Sequence, residues 1–225
     1  MQHGDTWAPV AGQVARDHVT TLVDFTEPTL DGCVRAIADA ARDGVVVAYS
    51  MGGRIALHAA LRHPGVLRAM VLIGATAGIE DPALRHSRRA ADESLAAWME
   101  TARIGQIVDF WEAQPVFATQ SGSLVADQRP GRLSFDPGFL AGLLRATGQG
   151  ALDPVWDHLP VLRMPVLAIA GEHDEKYAEV AGRMAARLPQ GEVATIADAG
   201  HAPQLERPDA VAALIRPWID GVLAR

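Results

Sequence analysis

Three residues that together can do nucleophilic or proton-transfer chemistry occur in the order Ser50, Asp174, His201. Ser50 lies in VVVAYSMGGRIAL (45–57), where three valines run into Ala48-Tyr49-Ser50-Met51-Gly52 and an apolar pattern of helical spacing then begins. A serine at a tight strand-to-helix turn needs small neighbours, because the backbone there is strained and closely packed. Such a turn lifts the hydroxyl out of the sheet, with the first N–H groups of the helix pointing toward it. A serine hydroxyl is a poor nucleophile or base until a histidine takes its proton and a carboxylate orients that histidine. LAIAGEHDEKY places Asp174 just past an apolar run, and IADAGHAPQLERP places His201 in a loop after the next one. Glu172 and Glu175 are the rival carboxylates. The backbone N–H of Met51 could hold a developing oxyanion. The plain alternative is a glycine-rich turn carrying a solvent-exposed serine.

The elements that must position these residues alternate. Thr20–Phe25, Val45–Tyr49, Ala69–Gly74, Pro165–Gly171 and Glu192–Ile196 are short, apolar at most positions and bounded by Gly, Pro or Asp. Strands buried on both faces read this way, as in a parallel sheet covered by helices. Leu30–Arg42 and Met51–His63 read as intervening helices, with Pro64-Gly65 stopping the second, and Asp209–Leu223 as the closing helix. No strand is evident between Ile79 and Gly150. Asp81-Pro82 starts a helix whose Leu84, Ala91, Leu95 and Trp98 recur at helical spacing until Gly105. A second helix runs to Ala113, and Asp136-Pro137 starts another. The expected organisation is an α/β core of residues 1–78 and 151–225, interrupted by a helical cap of residues 79–150. An insertion at the C-terminal end of a strand would lie over the ligand crevice.

Composition narrows the partners. The chain has 225 residues, 49% of them apolar, which suits one domain with a sizeable core. A formal net charge of −7 argues against nucleic acid. A single cysteine, Cys33, leaves no disulfide framework and fits a reducing compartment. No apolar run is long enough for a membrane span, and MQHGDTWAPV lacks a signal-peptide core. A cytoplasmic protein with no membrane insertion is expected, of undetermined oligomeric state. Cys33 reads as a packed helix residue, His58, His63 and His86 as surface or helix-end histidines, and His173 has no evident partner.

These segments resemble the α/β-hydrolase superfamily, in which the order Ser, Asp, His is the expected one. The finer resemblance is to the SHCHC synthases (2-succinyl-6-hydroxy-2,4-cyclohexadiene-1-carboxylate synthases) of menaquinone biosynthesis. It is carried by YSMGGRIAL, RHSRRAADESLAAW, VDFWEAQPVFATQ, GEHDEKY and AGHAPQLERP, from about Gly44 to the C-terminus. FWEAQPVFA is the discriminating piece, since other hydrolases share the serine turn but not this cap segment. The resemblance implies an α/β-hydrolase fold and a lyase that eliminates pyruvate from an enolpyruvyl cyclohexene carboxylate, SEPHCHC, with no metal or organic cofactor. It implies that Ser50, backed by His201 and Asp174, abstracts a ring proton next to the succinyl ketone. The substrate is a small polycarboxylate with three carboxylates, so cations should line the pocket. Arg54 lies one helical turn after Ser50, Arg88 resembles the family's first cap arginine and Arg132 a later one, and Tyr49 and Trp111 match positions that pack on the substrate. Arginine's planar fork suits carboxylates. The residues also allow plainer roles: Arg88 with Asp92 and Arg89 with Glu93 as i,i+4 surface pairs, and Trp111 as an anchor of the cap.

At its start the chain departs from the family pattern. His3-Gly4 looks like the family's His-Gly-Phe oxyanion turn, but GDTWAPVA resembles the segment that follows that turn. The expectation is therefore that two or three N-terminal strands of the family's sheet are missing, one of them beside Val45–Tyr49, and that the second oxyanion donor is unassigned.

Overall fold

The computed structural model describes residues 2–224. Four parallel strands form one sheet in sequential order: β1 (Gly44–Tyr49), β2 (Leu67–Ile73), β3 (Val166–Gly171) and β4 (Gly191–Ile196). They match four of the five expected strands to within two residues at each end. Register runs without a break from Val45 opposite Ala69 to Tyr49 opposite Ile73, and β3 meets both β2 and β4. Helices cover both faces, because alternate residues of one strand point opposite ways. Met70 and Leu72 of β2 face α2 (Leu30–Ala41) and α3 (Met51–Arg62), in a core with Val34, Ile37, Ile55 and Leu57. Val71 and Ile73 face α1 (Ala8–Val14), with Val10, Val211, Ile215 and Ile219.

Thr20–Phe25 does not form a strand. No strand among the described residues pairs with it; Gly4 N–H instead donates to the Asp24 carboxylate at 2.7 Å. Among the described residues β1 is an edge of the sheet, and its three valines are half-buried rather than enclosed.

Four helices follow β2: α4 (Pro82–Met99), α5 (Ile104–Glu112), α6 (Gly122–Leu133) and α7 (Pro137–Thr147). Asp81 and Asp136 cap α4 and α7 as their Asp-Pro starts predict. Helix α4 stops at Met99, short of the expected Gly105. Helix α6 was not legible, because Pro130 and a polar sequence blur its period; Ser121 caps it by accepting from Leu124 N–H at 3.2 Å. Helices α4, α5 and α7 share a small core of Ala96, Met99, Ile107, Leu140 and Ala141. After β3 come α8 (Glu175–Arg187), which leads to β4, and then the short α9 (Pro203–Glu206) and α10 (Pro208–Leu223). No helix among the described residues is long and apolar enough to cross a membrane.

Candidate active site

Ser50 joins β1 to α3 at φ 48° and ψ −107°, a conformation that residues with a side chain rarely adopt and that persists only where surrounding structure enforces it. Here Ser50 N–H donates to Ile73 O at 2.8 Å, and Ser50 O accepts from Arg54 N–H at 3.2 Å. The close packing predicted for this turn falls on Gly53, where a Cβ would come within 2.5 Å of the Ala75 Cβ. The Met51 N–H opens α3, among the helix N–H groups that have no carbonyl partner within the helix.

Asp174 and His201 reach Ser50 from the C-terminal ends of β3 and β4. His201 Nδ1 donates to Asp174 Oδ2 at 2.6 Å, and His201 Nε2 lies 3.3 Å from Ser50 Oγ, placed to accept its proton. Asp174 also caps α8 through Tyr177 N–H. The His201 loop is pinned by Glu206, which accepts from Gly200 N–H at 2.8 Å and Ala202 N–H at 3.0 Å. Gly74, at φ 54° just past β2, makes room for His201: a Cβ there would lie 3.0 Å from both the imidazole Cε1 and the His201 carbonyl oxygen. The rival carboxylates are elsewhere. Glu172 is exposed and accepts from Asp198 N–H, and Glu175 is exposed in the first turn of α8.

A cavity of about 1340 Å³ opens above Ser50 and along β1. Its lining includes Tyr49, Ser50, Met51, Arg54, Arg88, Trp111, Asp174 and His201, eight of the nine residues singled out in the sequence. Arg132 is the exception. It is buried, and its guanidinium donates to Glu112 at 2.9 Å and Gln120 at 3.5 Å. The sequence could not show that Glu112, on a different helix, occupies this arginine. Arg88 donates from Nε to Asp92 at 2.7 Å, the expected helix pair, yet still lines the cavity. Glu93 pairs with Arg145 of α7 at 2.9 Å rather than with Arg89. His3 stacks on Phe135 with ring centroids 3.9 Å apart.

Two polar groups at the cavity are incompletely satisfied by the protein. Arg54 is 7% exposed, donates once from Nη2 to Thr147 O at 3.2 Å, and has no partner for Nε. Burial pushes its pKa down to about 10; Arg88 adds to the shift, while Tyr177 and Asp92 oppose it only in part. The Tyr49 hydroxyl is buried without a partner, and burial raises it well above the ordinary tyrosine value. Tyr177, Gln149 and Lys176 also line the cavity. Their one signal in the sequence is position, Lys176 and Tyr177 just after Asp174 and Gln149 just after α7. A part-buried serine–histidine–carboxylate chain beside helix N–H groups that lack a partner within the helix can move a proton and stabilise an oxyanion.

The model of the Alpha/beta hydrolase family matches residues 3–214. The 2-succinyl-6-hydroxy-2,4-cyclohexadiene-1-carboxylate synthase of Yersinia enterocolitica is 29% identical over 231 residues, 96% of this chain and 82% of that protein. The synthase of the same name from Serratia proteamaculans is 30% identical over 178 residues, 77% of this chain and 67% of that protein. The solved structure of MenH from S. aureus superposes with a TM-score of 0.86 at 23% identity, over 99% of this chain and 91% of that one.

Proposed function

The chain belongs to the alpha/beta hydrolase family, and from that premise we propose that this enzyme is a lyase that eliminates pyruvate from SEPHCHC to form SHCHC in menaquinone (vitamin K2) biosynthesis. The observation that carries the reading is the hydrogen-bonded series Asp174–His201–Ser50 facing a cavity that also holds Arg54 and Arg88. The relatives named as synthases of that product supply the substrate class.

In this reading His201, oriented by Asp174, takes the Ser50 proton, and Ser50 Oγ removes a ring proton beside the succinyl ketone. The C–H electron pair forms a double bond between the ring carbon and the ketone carbon as the C=O pair moves onto the ketone oxygen, where the Met51 N–H stabilises the charge. The electrons then return to form the ring double bond as the C–O bond to the enolpyruvyl group breaks, and the departing group is protonated to pyruvate. Asp92 engages only Nε of Arg88, leaving both terminal nitrogens for a substrate carboxylate. Arg54 Nε and the Tyr49 hydroxyl are unpartnered groups that substrate would satisfy, and Trp111 supplies an apolar wall. With Arg132 on Glu112, Lys176 is the third cation at the cavity. The substrate is thus a small-molecule polycarboxylate.

The test is pyruvate release from SEPHCHC by the purified protein beside Ser50→Ala. Turnover by the wild type and a loss of roughly 10³-fold or more in the variant is expected for removal of one member of such a unit. A folded wild type that releases no pyruvate but cleaves simple aryl esters would replace the lyase with a hydrolase using the same serine.

A further inference from the structure

One short turn reaches several parts of the site at once. Thr147–Gly150 ends α7. The Thr147 carbonyl accepts from Arg54, and its hydroxyl lies 3.2 Å from the Met51 sulfur. Gly150 N–H points at Asp92, the partner of Arg88. Gln149 Nε2 donates to the Tyr177 hydroxyl at 3.0 Å. Tyr177 is 6% exposed, and its ring centroid is 4.4 Å from that of His201 at 52°, nearer than the rings of Tyr49 and Phe117 at 5.3 and 6.3 Å. Its backbone N–H meanwhile faces Asp174 Oδ1.

A tyrosine in this position has two handles. The ring packs on the imidazole, and the hydroxyl is tethered to a residue of the cap. A ring can tilt about its χ angles unless its far end is held, and a buried hydroxyl tends to keep its partner because an unmade hydrogen bond is costly. The imidazole must keep one edge on Asp174 and the other on Ser50, so the setting of the ring beside it bears on catalysis.

We propose that Gln149 is a positioning residue, which through the Tyr177 hydroxyl and ring holds the His201 imidazole in line between Asp174 and Ser50. The turn would thereby join the part of the cap that carries Arg88 to the residue that moves the proton. The proposal rests on the reading of Ser50, His201 and Asp174 as catalytic, but not on the identity of the substrate.

The test uses Gln149→Leu and Tyr177→Phe, separately and together, in the full chain. Each breaks the same hydrogen bond, and Tyr177→Phe keeps the ring. For pyruvate release, kcat should fall about tenfold in each single variant, a partial misplacement of the base, while KM stays near the wild-type value. The double variant should be no worse than either single one. The His201 ring protons, identified by their disappearance in His201→Gln, should shift alike in the NMR spectra of both variants, while the thermal midpoint changes little. A rise in KM alone would overturn the proposal, because the pair would then be touching substrate. Additive losses, or unmoved His201 signals in both variants, would overturn it as well. If the wild type releases no pyruvate, the lyase reading fails by itself, and the NMR comparison still decides the role of Gln149.

Discussion

The guanidinium of Arg132 lies on the carboxylate of Glu112 at 2.9 Å, and their side chains are only 4% and 11% exposed. A buried charge with its partner removed is destabilising by about 3–5 kcal/mol, and Arg129 shares the same carboxylate from the other side. Glu112→Gln should therefore lower the thermal midpoint by several degrees, and Arg132→Met should lower it less. If Arg132 is engaged as the structure has it, Arg132→Met leaves KM within about twofold of wild type, below the roughly 1.4 kcal/mol that a tenfold change would represent. A tenfold rise in KM at unchanged stability would put Arg132 on the substrate instead. Midpoints from calorimetry and steady-state kinetics on the same preparations decide it.

Arg54 presents the opposite case. Its guanidinium is buried with one carbonyl partner and no carboxylate. Arg54→Met replaces an expensively desolvated charge with a side chain of similar length. The expected outcome is a protein at least as stable as wild type whose KM for a carboxylated substrate rises by roughly 10- to 100-fold, the range for a hydrogen bond to a charged group. Thermal unfolding beside initial-rate kinetics checks both halves. A less stable variant with unchanged KM would make Arg54 a structural residue.

Gly74 is spent on His201. A methyl group there would press on the imidazole from 3.0 Å and force an L side chain to φ 54°. Gly74→Ala should reduce kcat by about 10²-fold, the scale of an ångström-sized misplacement, while the protein stays folded. Rates and far-UV circular dichroism on one sample test this; an undiminished kcat would mean that the loop moves aside freely.

His58 gives the protein an acid-side weakness. It lies one turn beyond Arg54 on α3. Burial lowers its pKa from the usual 6.5, Arg62 and Arg54 lower it further, and Asp153 opposes them. The fold thus favours neutral imidazole. Above about pH 6.5 both folded and unfolded chains carry it neutral and it contributes nothing. As the pH falls below that value the unfolded chain takes up the proton first, so stability is lost until the folded histidine also protonates. Between pH 7.5 and 5.5 the thermal midpoint of His58→Gln should fall less than that of the wild type; equal falls would refute the linkage.

The legible parts of the fold were those written in local pattern. The four strands were short apolar runs between Gly, Pro and Asp, and two cap helices announced themselves by Asp-Pro. Ser50, Asp174 and His201 could be picked out because their chain order and neighbours are specific to one geometry. What failed was what depends on a distant partner. Thr20–Phe25 has the length and flanks of a strand, but no strand pairs with it. Arg132 met Glu112 from another helix, and Glu93 took Arg145 of α7 instead of its helical neighbour Arg89. Gly74 read as the end of a strand, and only the fold brings His201 against it. Tyr177 and Gln149 are 28 positions apart, and no spacing rule links them.

The positive φ of Ser50 sets durability against the proposed chemistry at a single position. Glycine would occupy that backbone at ease, and an L side chain there costs on the order of 1–3 kcal/mol. Any selection that reads only soluble expression or heat resistance would therefore drift toward glycine at position 50 and away from turnover. A directed-evolution campaign for a hardier form of this protein would have to hold that one codon fixed, or score activity in every round.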